Sequence, residues 1–212
     1  MSAGFDPGTG LGPRLRLARE ERQLSVRELA RRIGCSASLI SQIERGVSVP
    51  SVGVLYSLAT ELDCSLDHLL FGADSRRPPA VTGAGEPASR EPVPAAPGIV
   101  QRAGCRNIID LASGVRWERL TPGADAHTDF LEVIYSPGGH STDERRPLRH
   151  DGHEYGLVLR GTLQANVGFE SYELGPGDSI AFDSSTPHEY LNKTGDPVHA
   201  VWVVVHSAPG RA

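Results

Sequence analysis

The stretch SVRELARRIGCSASLISQIERG, residues 25–46, decides the fold of the N-terminal part of the chain. Ser25 stands three residues before Glu28, a pairing typical of a helix N-terminus, and apolar residues follow at helical spacing. Gly34 stands where a helix can end in the left-handed conformation, and Ser36 can cap the next helix. The stretch therefore predicts two short helices joined by a tight turn.

Helical signals continue on both sides of this stretch. The spacing of Leu11, Leu15 and Ala18 predicts a helix before it. After it, Pro50 and Ser51 open a fourth helix, and Ser65 caps a short last one. We therefore predict an all-α domain of five helices over residues 11–72, preceded by a disordered N-terminus at residues 1–10.

Two changes of composition divide the rest of the chain. Residues 73–98 are rich in proline and alanine and have no apolar periodicity, which predicts a semi-extended linker. With such a linker, the two domains need not contact each other closely. Residues 99–212 show the short apolar runs and the Gly- and Pro-rich turns of an all-β barrel or sandwich. The clearest runs are Phe130–Tyr135, Gly156–Leu159, Ser179–Phe182 and Ala200–Val205.

The overall charge and the cysteines restrict the class of protein. The 212 residues carry a formal net charge of −5, so nucleic-acid binding would need a local basic patch. The candidates for that patch are Arg27, Arg31, Arg32 and Arg45. The three cysteines are scattered and lack CxxC spacing, which argues against a disulfide framework and a thiolate metal site. Because the sequence has neither a signal peptide nor a long apolar segment, we predict a cytoplasmic protein without a membrane span.

The N-terminal part resembles the repressor-like (XRE-type) helix-turn-helix family, which includes the lambdoid phage repressors. The resemblance rests on SVRELA at residues 25–30, GCSASLISQIERG at 34–46 and the Pro-Ser pair at 50–51. It implies that the second helix of the motif enters the major groove of double-stranded DNA, which is about 12 Å wide. Arg19 and Glu44 match a pair that ties the first helix to the third in this family, which gives Glu44 a structural role.

The same resemblance assigns roles on the DNA-reading surface. Ala37, Ser38 and Gln42 would face base edges, because a glutamine can bond adenine through two hydrogen bonds. Arg45 and the serines at the helix starts would hold phosphates, together with the helix N-termini. The predicted DNA-binding residues are Ser25, Arg27, Ser36, Ala37, Ser38, Ser41, Gln42 and Arg45.

The C-terminal part resembles the cupin family through two motifs. The first is HDGHEYGLVLRG at residues 150–161, and the second is GPGD at 175–178 followed by PHEYLN at 187–192. The second motif is nearly complete, whereas Leu148 stands where the first motif has its leading histidine. The resemblance implies a cupin barrel, which is a double-stranded β-helix or jelly roll, over residues 99–212.

The cupin resemblance also implies metal ligands at His150, Glu154 and His188. Two imidazoles and one carboxylate with open positions suit Fe(II), or Zn(II) with a bound water. His150 and Glu154 share strand parity, whereas His153 would point outward unless a bulge at Gly152 re-aims it. His153 is therefore a reserve ligand. The alternative is a barrel that holds no tight metal and whose histidines are polar lining around an organic ligand.

Apolar and aromatic residues of the predicted strands are candidates for the lining of the same cavity. They are Phe130, Tyr135, Tyr155, Phe182, Tyr190 and Trp202. Most aromatic residues in a small barrel belong simply to its core, so the sequence does not decide which of them contact a ligand.

Two functions fit this organisation. In the first, a transcriptional regulator, the cupin domain senses a small-molecule effector or a metal, and a homodimer sets the spacing of two DNA-reading domains on a palindromic operator. In the second, an iron-dependent oxidase similar in layout to hydroxypropylphosphonate epoxidase, the helical domain serves assembly or closure. The polar recognition helix followed by Arg45 and Gly46 favours the regulator, so we predict a protein that is not an enzyme. The effector, the operator and the regulated genes, the metal, repression or activation, and dimer or tetramer stay open.

Overall fold

A computed structural model describes residues 10–71, 98–125, 127–142 and 147–206. Nearly all of the predicted disordered N-terminus and of the predicted linker lies outside the described residues. Within them, a helical domain precedes a domain of two antiparallel sheets, which confirms the predicted combination of an all-α domain and an all-β cupin barrel. None of the described helices has the length and apolar character that crossing a membrane requires.

The helical domain contains the five predicted helices. They are α1 (Leu11–Glu21), α2 (Val26–Ile33), α3 (Ala37–Glu44), α4 (Val52–Glu61) and α5 (Leu66–Phe71). Ser25, Ser36 and Ser51 each cap a helix, because each hydroxyl accepts a hydrogen bond from the backbone N–H three residues later. Gly34 follows α2 with a φ of 72°, in the left-handed region, as the sequence predicts.

Helices α1 and α3 cross at very close range. A Cβ at Gly12 would lie 2.5 Å from the carbonyl oxygen of Glu44, so this crossing requires glycine. Beside it, Arg19 donates two hydrogen bonds to the Glu44 carboxylate, at 2.6 and 3.0 Å. The two side chains are only 10% and 9% exposed. The structural pair that the family resemblance implies is therefore confirmed.

The C-terminal domain consists of nine strands in the described residues. They are β1 (Ile108–Leu111), β2 (Val115–Arg119), β3 (Thr128–Tyr135), β4 (His153–Arg160), β5 (Leu163–Val167), β6 (Glu170–Leu174), β7 (Ser179–Asp183), β8 (His188–Leu191) and β9 (Val198–Val205). One sheet has the order β1-β2-β3-β9-β4-β7 and the other the order β6-β5-β8. The four apolar runs of the sequence lie in β3, β4, β7 and β9. Alternate residues of β3 and β9 are buried, as expected for strands with one face toward a core.

The two domains contact each other directly. The backbone N–H of Ala112 donates to the carbonyl oxygen of Pro50 at 3.2 Å, just before α4. The Phe71 ring lies 4.9 Å from the guanidinium carbon of Arg119. These contacts correct the interpretation that the domains need not touch, because a long linker does not prevent an apolar helix from packing on the barrel.

Candidate functional site

Helix α3 presents the predicted DNA-reading surface. Ile40 and Ile43 are fully buried, which fixes this helix on the core of the helical domain. Ser38 lies on the open side and is exposed, and Gln42, one turn later, is partly exposed. Ala37 and Ser41 are also partly exposed. The short polar side chains leave room for the backbone of α3 to approach a groove closely.

The first turns of α2 and α3 are both accessible. The hydroxyl oxygens of Ser25 and Ser36 accept hydrogen bonds from the backbone N–H groups of Glu28 and Leu39, each at 3.1 Å. Both serines are exposed. The remaining N–H groups of a helix start carry partial positive charge, so the two turns offer sites for backbone phosphates.

Glu28 takes a different role from the one its spacing predicts. In a capping box its carboxylate would reach back to the N–H of Ser25. Here it accepts hydrogen bonds from Arg31 and Arg32 at 2.7 Å instead. These hydrogen bonds lower the pKa of Glu28 to about 2. Arg32 also donates a hydrogen bond to Glu61 at 2.6 Å, so the two charges of Arg31 and Arg32 are offset by two neighbouring carboxylates.

The remaining basic candidates are Arg27 and Arg45, which are both exposed. Neither forms an ion pair with a carboxylate in the part of the chain that the structure describes. The Nε of Arg45 donates to the carbonyl oxygen of Ser41 at 3.1 Å, which holds the side chain along the end of α3. The local basic patch of the helical domain is thus centred on these two arginines.

The second candidate site is a buried cluster inside the barrel. It combines His150 from the loop before β4, Glu154 in β4 and His188 at the start of β8, which are 8%, 2% and 1% exposed. The Oε1 of Glu154 lies 2.8 Å from the Nε2 of His150 and 3.0 Å from the Nε2 of His188. One ligand atom from each residue lies within 4.8 Å of the others.

The tautomers of the two histidines follow from their second ring nitrogens. The Nδ1 of His150 lies 3.2 Å from the carbonyl oxygen of Asp151, and that of His188 lies 2.8 Å from the carbonyl oxygen of Thr186. A carbonyl oxygen only accepts, so each Nδ1 carries a proton, and in the neutral imidazole each Nε2 keeps its lone pair. Both Nε2 atoms and the Oε1 of Glu154 are buried without a hydrogen-bond partner among the described residues. Three converging lone pairs without a donor are the environment that a cation satisfies.

The other oxygen of Glu154 is fully engaged. Its Oε2 accepts hydrogen bonds from the hydroxyl of Tyr190 and the indole N–H of Trp202, both at 2.7 Å. A Cβ at Gly156 would lie 2.3 Å from the Trp202 ring, so glycine at this position makes room for the indole. These contacts orient the carboxylate and leave Oε1 as the oxygen available to a metal.

Glu154 is ionised despite its burial. Burial alone raises the pKa of its carboxyl group, but the adjacent imidazoles of His150 and His188 lower that pKa to well below its usual range. For a metal, the site therefore offers one carboxylate charge and, from each imidazole in its neutral form, one nitrogen lone pair. This donor set suits zinc or ferrous iron.

Three of the six predicted lining residues surround the cavity beside this cluster, namely Tyr135, Tyr190 and Trp202. Phe182 lies with its ring 5.1 Å from that of His188. The cavity leaves about 20 Å³ in which the centre of a water molecule fits. That space accommodates about one water or one ion, not an organic molecule.

Two of the predicted lining residues lie on the outside of the barrel. Phe130 and Tyr155 are 37% and 48% exposed, because each stands next to a residue that points inward. Strand alternation therefore corrects their assignment to the cavity. His153 shares the outer face, where its ring lies 5.1 Å from that of Tyr155, so the reserve ligand is not part of the cluster. Gly152 has a φ of 116°, but this does not turn His153 inward.

The structure adds a residue that sequence analysis missed. Tyr56 of α4 stacks on His150, with ring centroids 4.0 Å apart and an interplanar angle of 5°. A signal was present in the sequence, because α4 has apolar residues around much of its circumference, including Val52 and Tyr56 one turn apart. Such a helix is expected to be buried on more than one side.

Known protein families match each of the two domains. The helix-turn-helix family HTH_3 matches residues 15–69, and the cupin domain family Cupin_2 matches residues 131–204. The chain is 28% identical over 189 residues to the HTH-type transcriptional regulator PuuR of Escherichia coli, which covers 88% of this chain and 90% of that protein.

One solved structure has the same fold over nearly the whole chain. The crystal structure of an HTH_3 family transcriptional regulator from Vibrio cholerae superposes with a TM-score of 0.65 at 21% identity, covering 94% of this chain and 97% of that one. Hydroxypropylphosphonic acid epoxidase from S. wedmorenis gives a TM-score of only 0.42 at 19% identity, covering 92% and 97%, which is too weak to bear on the chemistry. The chain therefore combines an XRE-type helix-turn-helix domain with a cupin domain and is homologous to HTH-type transcriptional regulators.

Proposed function

We propose that this chain is a sequence-specific DNA-binding transcriptional regulator whose cupin domain responds to a metal ion or a small molecule. The observation that carries DNA binding is the open polar face of α3, held on the core by Ile40 and Ile43. The homology of the whole chain to HTH-type transcriptional regulators supports the same function. A polar helix of this size, with two accessible helix starts beside it, fits the major groove.

The proposed contacts divide into two kinds. Ser38 and Gln42 read base edges, with Ala37 and Ser41 near the same groove. The phosphates are held by Arg27 and Arg45 and by the helix starts at Ser25 and Ser36. Of the basic candidates, Arg27 and Arg45 are preferred because Arg31 and Arg32 are already paired with Glu28. Phosphate contacts set affinity and base contacts set specificity.

We further propose that the regulator is a cytoplasmic homodimer on a roughly palindromic operator. One short recognition helix makes too few contacts for tight binding, and two-fold symmetric proteins place two such helices about 34 Å apart. The outer face of the β3-β9-β4 region supports a symmetric contact. Phe130 and Tyr155 both pair with Val203 across the strands, and Leu157 extends this exposed apolar row.

The metal-binding part of the proposal rests on the buried cluster. The Nε2 atoms of His150 and His188 and the Oε1 of Glu154 would hold Zn²⁺ or Fe²⁺, with further coordination positions left open. When bound, such an ion supplies a Lewis-acidic point to which an oxygen or nitrogen of an effector can attach. Tyr190 and Trp202 would hold the carboxylate in place for it.

An iron-dependent oxidase remains the alternative, because two histidines and one carboxylate are also an oxygen-activating ligand set. The open polar face of α3 and the homology to HTH-type regulators argue against it. The cavity of about 20 Å³ excludes an organic substrate and an organic effector alike. The stacked ring of Tyr56 covers His150 as well. The variant Glu154→Gln distinguishes the two functions. An oxidase should lose its activity, whereas a regulator should keep its basal affinity for DNA.

The first experiment is selection of bound fragments from the source genome by the purified, untagged full chain, with metal content recorded on the same sample. The proposal predicts enrichment of one roughly palindromic site. Gln42→Ala and Arg45→Ala should each lower the affinity for that site by about 1–3 kcal/mol, and Arg45→Ala should also reduce the salt dependence.

Arg31→Ala is the matched control, because Arg31 is an exposed arginine of the same domain already paired with Glu28. Its effect on DNA affinity should be clearly smaller than that of Arg45→Ala. Absence of any enriched site, together with stoichiometric iron on the protein, would reject the regulator and favour the oxidase.

A further inference from the structure

The wall of the barrel cavity is completed by the helical domain. Val52 and Tyr56 of α4 line the same cavity as Glu154 and Trp202. They are only 3% and 8% exposed, and their spacing of four residues places them on one face of the helix. The candidate metal centre is therefore built from both domains.

Tyr56 makes a specific contact with one candidate ligand. Its ring is parallel to that of His150, which also lies near the perpendicular ring of His188, at 5.3 Å, and near the Oε1 of Glu154, at 2.8 Å. The edge of Trp117 packs against Tyr56 from the barrel side, with centroids 6.1 Å apart. With α4 in place, one face of the His150 ring is covered by a residue of the helical domain.

The seat of α4 lies at the position where the cupin motif lacks its leading histidine. Leu148 occupies that position and is 5% exposed. A Cβ at Gly53 would lie 3.2 Å from a terminal methyl group of Leu148, so α4 approaches this side chain closely. An apolar residue here gives up one ligand and provides a surface on which α4 packs.

We propose that Tyr56 is a positioning residue of the barrel centre, so that docking of α4 and binding of a divalent metal at His150, Glu154 and His188 stabilise each other. This inference rests on the proposed metal centre but not on DNA binding. A metal shifts a docking equilibrium only if it binds the docked form more tightly. The stacked, pre-oriented His150 supplies that difference, and the coupling is reciprocal.

A larger ligand has the opposite effect. Since the cavity holds about one water or ion, an organic molecule reaches the centre only when Tyr56 moves out. Helix α4 also packs against α2, the first helix of the DNA-reading motif. Release of Tyr56 therefore loosens one of several contacts between the DNA-reading domain and the barrel, which gives an effector a physical route to the recognition helix.

The test uses Zn²⁺ as the probe and the full chain, without DNA. Zinc affinity is measured by competition with a chromogenic chelator. Tyr56→Ala should weaken it about 10-fold, the effect typical of losing a group that orients a metal ligand. Tyr56→Phe keeps the stacked ring and should bind like the wild type. Tyr172→Ala, a truncation of an exposed tyrosine on β6, is the matched control and should leave the affinity unchanged.

Hydrogen exchange gives a second readout that does not depend on a variant. Zinc should slow the exchange of α4 amides in the wild-type protein, and this slowing should be lost in Tyr56→Ala. Equal zinc affinity of wild type and Tyr56→Ala, or α4 exchange that zinc does not change, would overturn the coupling. Failure of the wild type to bind zinc at all would overturn the metal centre and the coupling together, and would leave the DNA-reading proposal untouched.

Discussion

The two candidate sites of this chain are built in opposite ways. The DNA-reading surface comes from one continuous stretch, residues 25–46, and its side chains are mostly exposed and bond to near neighbours. The barrel centre joins a loop, two strands and a helix of the other domain, and its polar groups are almost completely buried. A local site can be recognised in the sequence, whereas a site assembled from distant segments is recognised only in part.

Burial also changes what a charge does at each site. On the DNA-reading surface, the pairs of Glu28 with Arg31 and Arg32 are exposed. They affect DNA binding mainly because the carboxylate neutralises positive charge that would otherwise attract phosphates. In the barrel, the charge of Glu154 is held by two imidazoles and two hydrogen-bond donors. Substitutions at the centre should therefore have larger effects than substitutions of surface pairs.

The largest effect on stability is expected from Arg19 and Glu44, the ion pair that, among the described residues of the helical domain, resembles the barrel centre in its burial. Arg19→Met leaves the Glu44 carboxylate nearly buried and without its partner, which should lower the free energy of unfolding by about 3 kcal/mol. Urea unfolding followed by circular dichroism measures this. Arg16→Ala, which removes an exposed pair with Glu20, should leave the free energy of unfolding nearly unchanged. Equal costs for the two variants would break the comparison between buried and exposed pairs.

A smaller effect is expected one step away from the metal ligands. Tyr190→Phe removes one of the two donors to the Oε2 of Glu154 and should weaken zinc binding about 10-fold. Tyr135→Phe is the control, because Tyr135 lines the same cavity without a hydrogen bond to Glu154. Chelator competition distinguishes them. If both variants bind zinc like the wild type, the orientation of the carboxylate does not matter to the site.

The sequence predicted the helical domain almost completely because its signals are local. The caps at Ser25, Ser36 and Ser51 and the end of α2 at Gly34 all lie where expected. The exception is Glu28, whose carboxylate bonds to arginines rather than to the helix start. Spacing identifies a helix start but does not decide between two local partners for one carboxylate.

The barrel was predicted less completely, for two physical reasons. Their aromatic character makes Phe130 and Tyr155 candidates for the cavity lining, although strand alternation next to Glu154 already excludes Tyr155. Tyr56 was missed because its partner, His150, lies far along the chain in another domain. Leu148 departs from the cupin motif in the sequence, but its role as a seat for α4 becomes visible only when the domains are packed together.

The most direct test of the account is the affinity of the metal-free full chain for the enriched DNA fragment, measured with and without equimolar zinc. If the barrel centre controls the DNA-reading domain, zinc should change the Kd by a factor of about 5–150, the usual range of coupling between two sites. Glu154→Gln should keep the basal affinity and lose the response, whereas Glu170→Gln, an exposed glutamate on β6, should respond like the wild type. An unchanged Kd in wild-type protein that demonstrably binds zinc would contradict the account.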